Sequence, residues 1–135
     1  MRVRSWFFLA LPGLAVCSAH GANHTVQVGQ NSAGQNAFAF NPSTLTITQN
    51  DTVTFVNNSG GFHNVDSTGG PTTFRCSVNC TNNNNPDSSA WSDVVTFPTA
   101  GTVTYECDQH ANFGMTGSIT VNPLVPVRLQ SFEVD

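Results

Sequence analysis

Three side chains with sulfur or imidazole donors fall within nine residues of one another, as Cys107-x2-His110-x4-Met115. A thiolate favours Cu(I), an imidazole serves both copper oxidation states, and a weak axial thioether leaves a site close to trigonal. One more imidazole would complete a mononuclear copper site, and Gly60–Gly61–Phe62–His63–Asn64–Val65 offers it. The two glycines ahead of His63 let backbone pass close to a metal. Taken singly, each residue has a plain reading: a histidine near a strand end is ordinarily surface or core, and Met115 at the start of a strand is ordinarily packing. The combination has a consequence that the separate readings lack, because it gives Cys107 a reason to stay unpaired.

The donors need rigid elements to hold them, and the flanking sequence supplies strands. Gly101–Glu106 alternates, with Val103 and Tyr105 on the face that Cys107 continues, so the thiol is expected to point towards the core. Met115–Val121 is the returning strand, with Ile119 and Val121 inward. Upstream, His24–Gln30 is a first strand and Phe38–Ala39–Phe40 leads into a bend at Asn41–Pro42. Leu45–Gln49 and Thr52–Asn58 are strands about an Asn50–Asp51 turn, with Val53 and Phe55 facing the core. Trp91–Phe97 is a further strand before a turn at Pro98–Gly101. Residues 66–90 read as a long irregular stretch. Short strands separated by turn signals, with no amphipathic helix, predict an all-β antiparallel sandwich and one domain.

The chain has 135 residues, 39% hydrophobic and 9% charged, with no lysine. Asn, Thr, Ser and Gly fill the polar positions, as turns and half-buried strands require. Residues 1–22 have the basic start and apolar run of a secretory signal, with cleavage expected after Gly21 or Ala22. The run is too short to span a bilayer comfortably and no second one follows, so no stable membrane insertion is expected. Val16 occupies the small-residue position of a lipobox-like Leu14–Cys17 segment, so no lipid anchor is expected at Cys17. Processing after Ala19 would instead expose His20 as an amino-terminal chelator. The expected mature chain carries two arginines against eight acidic residues, which argues against nucleic acid, whose phosphates need a basic surface. Four Asn-x-Ser/Thr sequons, at Asn23, Asn50, Asn57 and Asn79, are expected by chance in so Asn- and Thr-rich a chain.

Without Cys17, three cysteines remain. Cys76 and Cys80 are close enough to close a small disulfide in an oxidising compartment, which leaves Cys107 alone. An exported free thiol is oxidised unless it is buried or ligated. Zinc is the rival metal, but thioether is a poor zinc ligand and no His-Glu motif supplies a base. Glu106 and Asp108 flank Cys107 on the opposite strand face and read as surface charge. A Cys–His hydrolase lacks an orienting third residue and an oxyanion loop.

These motifs resemble those of the plastocyanin/azurin family of small blue copper proteins, the cupredoxins. The resemblance rests on the Cys107-x2-His110-x4-Met115 spacing, on Phe62–His63–Asn64, and on Asn41–Ile47 and Asp51–Asn58 ahead of them, and it runs from about His24 to Asn122. It implies a Greek-key β-sandwich (cupredoxin-like) over residues 23–122, with one type 1 copper ion at one end. It implies His63, Cys107 and His110 as strong ligands and Met115 as the long axial one. It implies that Asn64 ties the two ligand loops together and that His110 is the exposed edge for electron transfer, within an apolar rim of Ala111, Phe113 and Gly114. The 66–90 loop and the 123–135 tail lie outside the resemblance to plant plastocyanin.

The function expected is one-electron transport by a monomer between redox protein partners, a donor and an acceptor, in a periplasmic or extracellular setting, with no enzymatic step. The same ligands would also serve a copper-trafficking or storage module, recognisable by copper exchange outpacing electron exchange. An accessory domain of a larger assembly, bound through the tail, is the third reading.

Overall fold

The computed structural model describes residues 21–80 and 85–125; the expected signal segment up to His20, and the tail beyond Val125, lie outside the described residues. Nine strands follow one another among the described residues. They are β1 (Asn23–Gln30), β2 (Asn36–Asn41), β3 (Thr44–Thr48), β4 (Thr52–Asn57), β5 (Val65–Gly69), β6 (Arg75–Cys76), β7 (Trp91–Thr96), β8 (Gly101–Glu106) and β9 (Thr116–Asn122). A short 3-10 turn, Ala111–Phe113, is the only helical piece among the described residues.

The strands form two sheets, in the orders β2-β1-β4-β7 and β3-β9-β8-β5-β6. The all-β sandwich expected from the alternating pattern is present, but its pairing is mixed rather than wholly antiparallel. β1 runs parallel to β4, and β3 runs parallel to β9. Neither pair is joined by a hairpin; the chain leaves the sheet and returns, the path of a Greek key, and such crossovers leave no trace in local periodicity. Val26, Val53, Phe55 and Val95 from one sheet meet Val65, Val103, Tyr105 and Ile119 from the other, all buried. Removing these side chains from water is the main term holding the layers together. Tyr105 sits at the centre, edge-on to Phe40 and Phe55, with its hydroxyl buried and its pKa raised by that burial.

The described part of residues 66–90 is less irregular than its composition suggests. β5 and β6 lie there, with Val65 opposite Cys76 and Asp66 opposite Arg75, and β5 also pairs with β8. These short polar strands owe their form to the neighbouring strand and to the Cys76–Cys80 disulfide, not to propensity. At the two ends of the chain's described part, Ala22 N–H donates to Asp51 Oδ1 at 2.7 Å and Leu124 N–H reaches Gln49 Oε1 at 3.5 Å.

Candidate metal centre

Cys107 directly follows β8 and continues its inward face; it is fully buried, and it is the one free cysteine among the described residues. Its carbonyl accepts from the N–H groups of His110 (3.0 Å) and Ala111 (2.8 Å), and its N–H donates to the Met115 carbonyl at 3.1 Å. Met115 N–H in turn donates to the His110 carbonyl at 3.2 Å. The nine-residue loop thus closes on itself across its own backbone, and Gly114, in the left-handed region, makes the last turn possible. His63 enters from the other sheet's side, after the break that follows β4. Its backbone is clamped to Asp87, N–H to carbonyl in both directions, at 3.2 and 3.1 Å. The buried Asn57 side chain bonds the carbonyls of Gly61 and Asp87, both at 3.2 Å.

The donor atoms converge. His63 Nδ1 and His110 Nδ1 are 3.1 Å apart, and they lie 3.8 and 3.6 Å from Cys107 Sγ. A triangle with those sides has its centre about 2.0 Å from each corner, close to the ~2.0–2.1 Å bond of an imidazole to a first-row ion such as zinc. Burial, helped by the charge of His110, pushes His63 down to about 4, and burial lowers His110 as well. Both imidazoles are therefore neutral near pH 7, the form that ligates. A buried thiol and two neutral imidazoles, with no carboxylate among them, suit copper. Met115 is fully buried at the end of the same loop.

Two features around the donors carry signals that the sequence shows only in hindsight. A Cβ on Gly61 would lie 2.6 Å from His63 Nε2, and one on Gly29 would lie 2.5 Å from His63 Nε2 and Cδ2. Gly29 sits at a bulge in β1 with φ +76°, so it is both a backbone and a space requirement. Asn64 and Asp108 bond reciprocally: Asp108 N–H donates to Asn64 Oδ1 at 2.9 Å, and Asn64 Nδ2 donates to Asp108 Oδ2 at 2.7 Å. Arg75 from β6 donates to the same Asp108 oxygen. Asp108 is thus a strut between loops rather than plain surface charge, because the loop after β8 turns its side chain back towards β5. Nearby, burial and the Asp108 charge raise Asp66, against the opposing pull of Arg75.

His110 also departs from expectation. It is 8% exposed, because Phe38 of β2, itself 53% exposed, covers it. The Phe38 and His110 rings are stacked, with centroids 4.1 Å apart and planes 13° apart.

A Greek-key sandwich holding a buried cysteine and two imidazoles at one end defines a cupredoxin, a small single-copper protein. The model of copper-binding proteins of the plastocyanin/azurin family matches residues 26–122. A plastocyanin of Scenedesmus fuscus is 36% identical over 99 residues, covering 72% of this chain and 97% of the relative. The chloroplastic plastocyanin of Chlamydomonas reinhardtii is 34% identical over 123 residues, covering 89% of this chain and 81% of the relative. A mutant fern plastocyanin of known structure superposes with a TM-score of 0.56 at 24% identity, covering 73% of this chain and 99% of that one. The chain belongs to the plastocyanin/azurin family of copper-binding proteins, and its His63–Cys107–His110 cluster is compatible with type 1 copper.

Proposed function

We propose that the protein is a one-electron carrier in which His63, Cys107 and His110 are the strong ligands of one copper ion and Met115 is the weak axial ligand. The observation that carries this reading is the convergence of three mutually close donors, one of them a buried free thiol, from two loops clamped at one end of a sandwich. Bound copper would supply the Cu(II)/Cu(I) couple. The chain's own part is to hold the donors still. The Cys107–Met115 backbone bonds, the His63–Asp87 clamp and the Asn64–Asp108 strut each restrain one donor, so little rearrangement accompanies a change of charge at the site. No carboxylate lies among the donor atoms, and both imidazoles serve as ligands in this reading, which supports a carrier. Domain limits of 1–22 (signal), 23–122 (copper domain) and 123–135 (tail), and export to a compartment where Cys76–Cys80 stays oxidised, complete the proposal. Its partners are a redox protein donor and acceptor, and the carrier acts as a monomer.

The test is a Cu(II) titration of the mature domain followed by visible absorption and electron paramagnetic resonance. The expected result is an intense blue band with narrow copper hyperfine splitting, bleached by ascorbate and restored by ferricyanide. A colourless product with tetragonal copper signals would overturn the reading. Met115→Leu is expected to keep the colour and raise the potential, since a donor that favours Cu(II) is lost; an unchanged potential would remove Met115 from the ligand set.

A further inference from the structure

Arg75 is the only lysine or arginine among the described residues, and it sits beside the residue that follows Cys107. It lies on β6, a strand of two residues at the edge of its sheet. So short a strand has no propensity of its own to hold it. Cys76 anchors one face, fully buried opposite Val65 and bonded to Cys80. Just ahead of it, Phe74 N–H donates to Ser67 Oγ and Ser67 N–H donates to the Phe74 carbonyl, both at 2.9 Å. Alternation then sends Arg75 to the outer face. Asp66 is its register partner there, and Glu106 stands next in the same row, opposite Asp66. Arg75 Nε lies 3.5 Å from Asp66 Oδ2, while Nη2 donates to Asp108 Oδ2. That Asp108 oxygen also accepts from Asn64 Nδ2. One guanidinium thus bridges two carboxylates, and one of these directly follows the free thiol.

We propose that Arg75 is a positioning residue of the copper centre: it holds the Asp108 carboxylate against Asn64, and the disulfide-closed loop from Cys76 to Cys80 holds Arg75 in place. This rests on the carrier reading above. The need for a cation comes from charge. Without it, Asp66 and Asp108 would meet as like charges, and the one on a loop, Asp108, would yield before the one in a sheet. Asp108 would then leave Asn64, which accepts from its N–H at 2.9 Å and donates to its carboxylate at 2.7 Å. Cys107 lies one peptide away, so its sulfur would lose a restraint. The cation has a second effect: a positive charge beside the site disfavours the more highly charged Cu(II) state and holds the potential up. Ion pairs this exposed add little to overall stability. The guanidinium therefore serves placement and charge balance rather than folding.

The experiment compares three variants. Arg75→Gln removes the cation, Arg75→Gln/Asp108→Asn also removes the charge it balances, and Cys76→Ala/Cys80→Ala keeps Arg75 but frees its strand. In the metal-free proteins, hydrogen exchange of the backbone N–H at position 108 is corrected for global unfolding measured in denaturant. That exchange is expected to speed up severalfold in Arg75→Gln and in the disulfide variant, and to return towards the wild-type rate in Arg75→Gln/Asp108→Asn. In the copper-loaded proteins, the potential is expected to fall in Arg75→Gln, to fall less in the disulfide variant, and to be restored in Arg75→Gln/Asp108→Asn, where the local charge is balanced again. Wild-type exchange in Arg75→Gln would overturn the proposal, as would an unchanged potential in that variant. So would a double variant no closer to wild type than Arg75→Gln, or wild-type exchange in the disulfide variant. A wild type without the blue centre would defeat the carrier reading instead, while the metal-free exchange would still decide whether Arg75 holds Asp108.

Discussion

The three glycines around His63 separate backbone strain from crowding of the imidazole. Gly60 has φ +74° and open space where a Cβ would sit, so Gly60→Ala tests left-handed strain alone. Gly61 has no such φ, but its added Cβ would fall 2.6 Å from His63 Nε2, so Gly61→Ala tests crowding alone. Gly29, with φ +76° and a 2.5 Å approach to the same atom, combines the two. Left-handed strain in a residue with a Cβ costs about 1–2 kcal/mol, and overpacking a fitted site costs about 1–3 kcal/mol. To regain an ordinary carbon–nitrogen contact, the imidazole must retreat by roughly 1 Å, whereas a functional constellation tolerates about 0.5 Å. Gly60→Ala should therefore lower the stability of the metal-free protein by about 1–2 kcal/mol and leave copper binding unchanged. Gly61→Ala should weaken copper binding about 10–100-fold, the usual cost of disturbing a ligand's support. Gly29→Ala should show both defects. Denaturant unfolding of the metal-free proteins and competition with a copper chelator measure the two effects. Wild-type copper affinity in Gly61→Ala, or an equal loss in Gly60→Ala, would refute the claim that these glycines exist to seat His63.

Cys107→Ser should abolish the intense blue band while far-ultraviolet circular dichroism stays that of the folded sandwich; a variant that remained blue would sink the thiolate assignment. Asn64→Ala removes a buried side chain that bonds Asp108 twice, and leaving the Asp108 N–H without its acceptor should cost about 1–3 kcal/mol in the unfolding of the metal-free protein. A pH series would test Asp51. Burial alone would raise this carboxyl, but bonds from Thr48 N–H, His24 and Ala22 N–H outweigh it and hold the group below its ordinary 3.8. A depressed carboxyl contributes stability above about its ordinary value and loses it as the pH falls through the lower folded value. Asp51→Asn should therefore be less stable than wild type at neutral pH, with the gap closing below about pH 4; a gap independent of pH would exclude the carboxylate.

Much of the copper end was legible because the information is local. Cys107, His110 and Met115 lie on one loop between two alternating strands, and the expected inward face of Val103, Tyr105 and Cys107 is buried as read. The disulfide followed from counting thiols, and it is present. The strands hidden in residues 66–90 were not legible, since Asp66–Gly69 is polar and gains its form from β8 and β6 beside it. Nor were the roles of Gly29, Phe38 and Arg75, each of which acts on a residue at least 25 positions away.

The sequence by itself determined the chemistry: which donors exist, their softness, and a spacing that only a tight loop between strands can satisfy. The tertiary structure alone decided the company those donors keep. The parallel pairing of β1 with β4 and the antiparallel pairing of β2 with β1 bring these strands to the copper end, where a bulge at Gly29 opens room for one imidazole and Phe38 settles flat upon the other. The physical reason is that periodicity and spacing record what a chain does within a few residues, whereas burial, stacking and steric fit depend on which distant strands the core brings together.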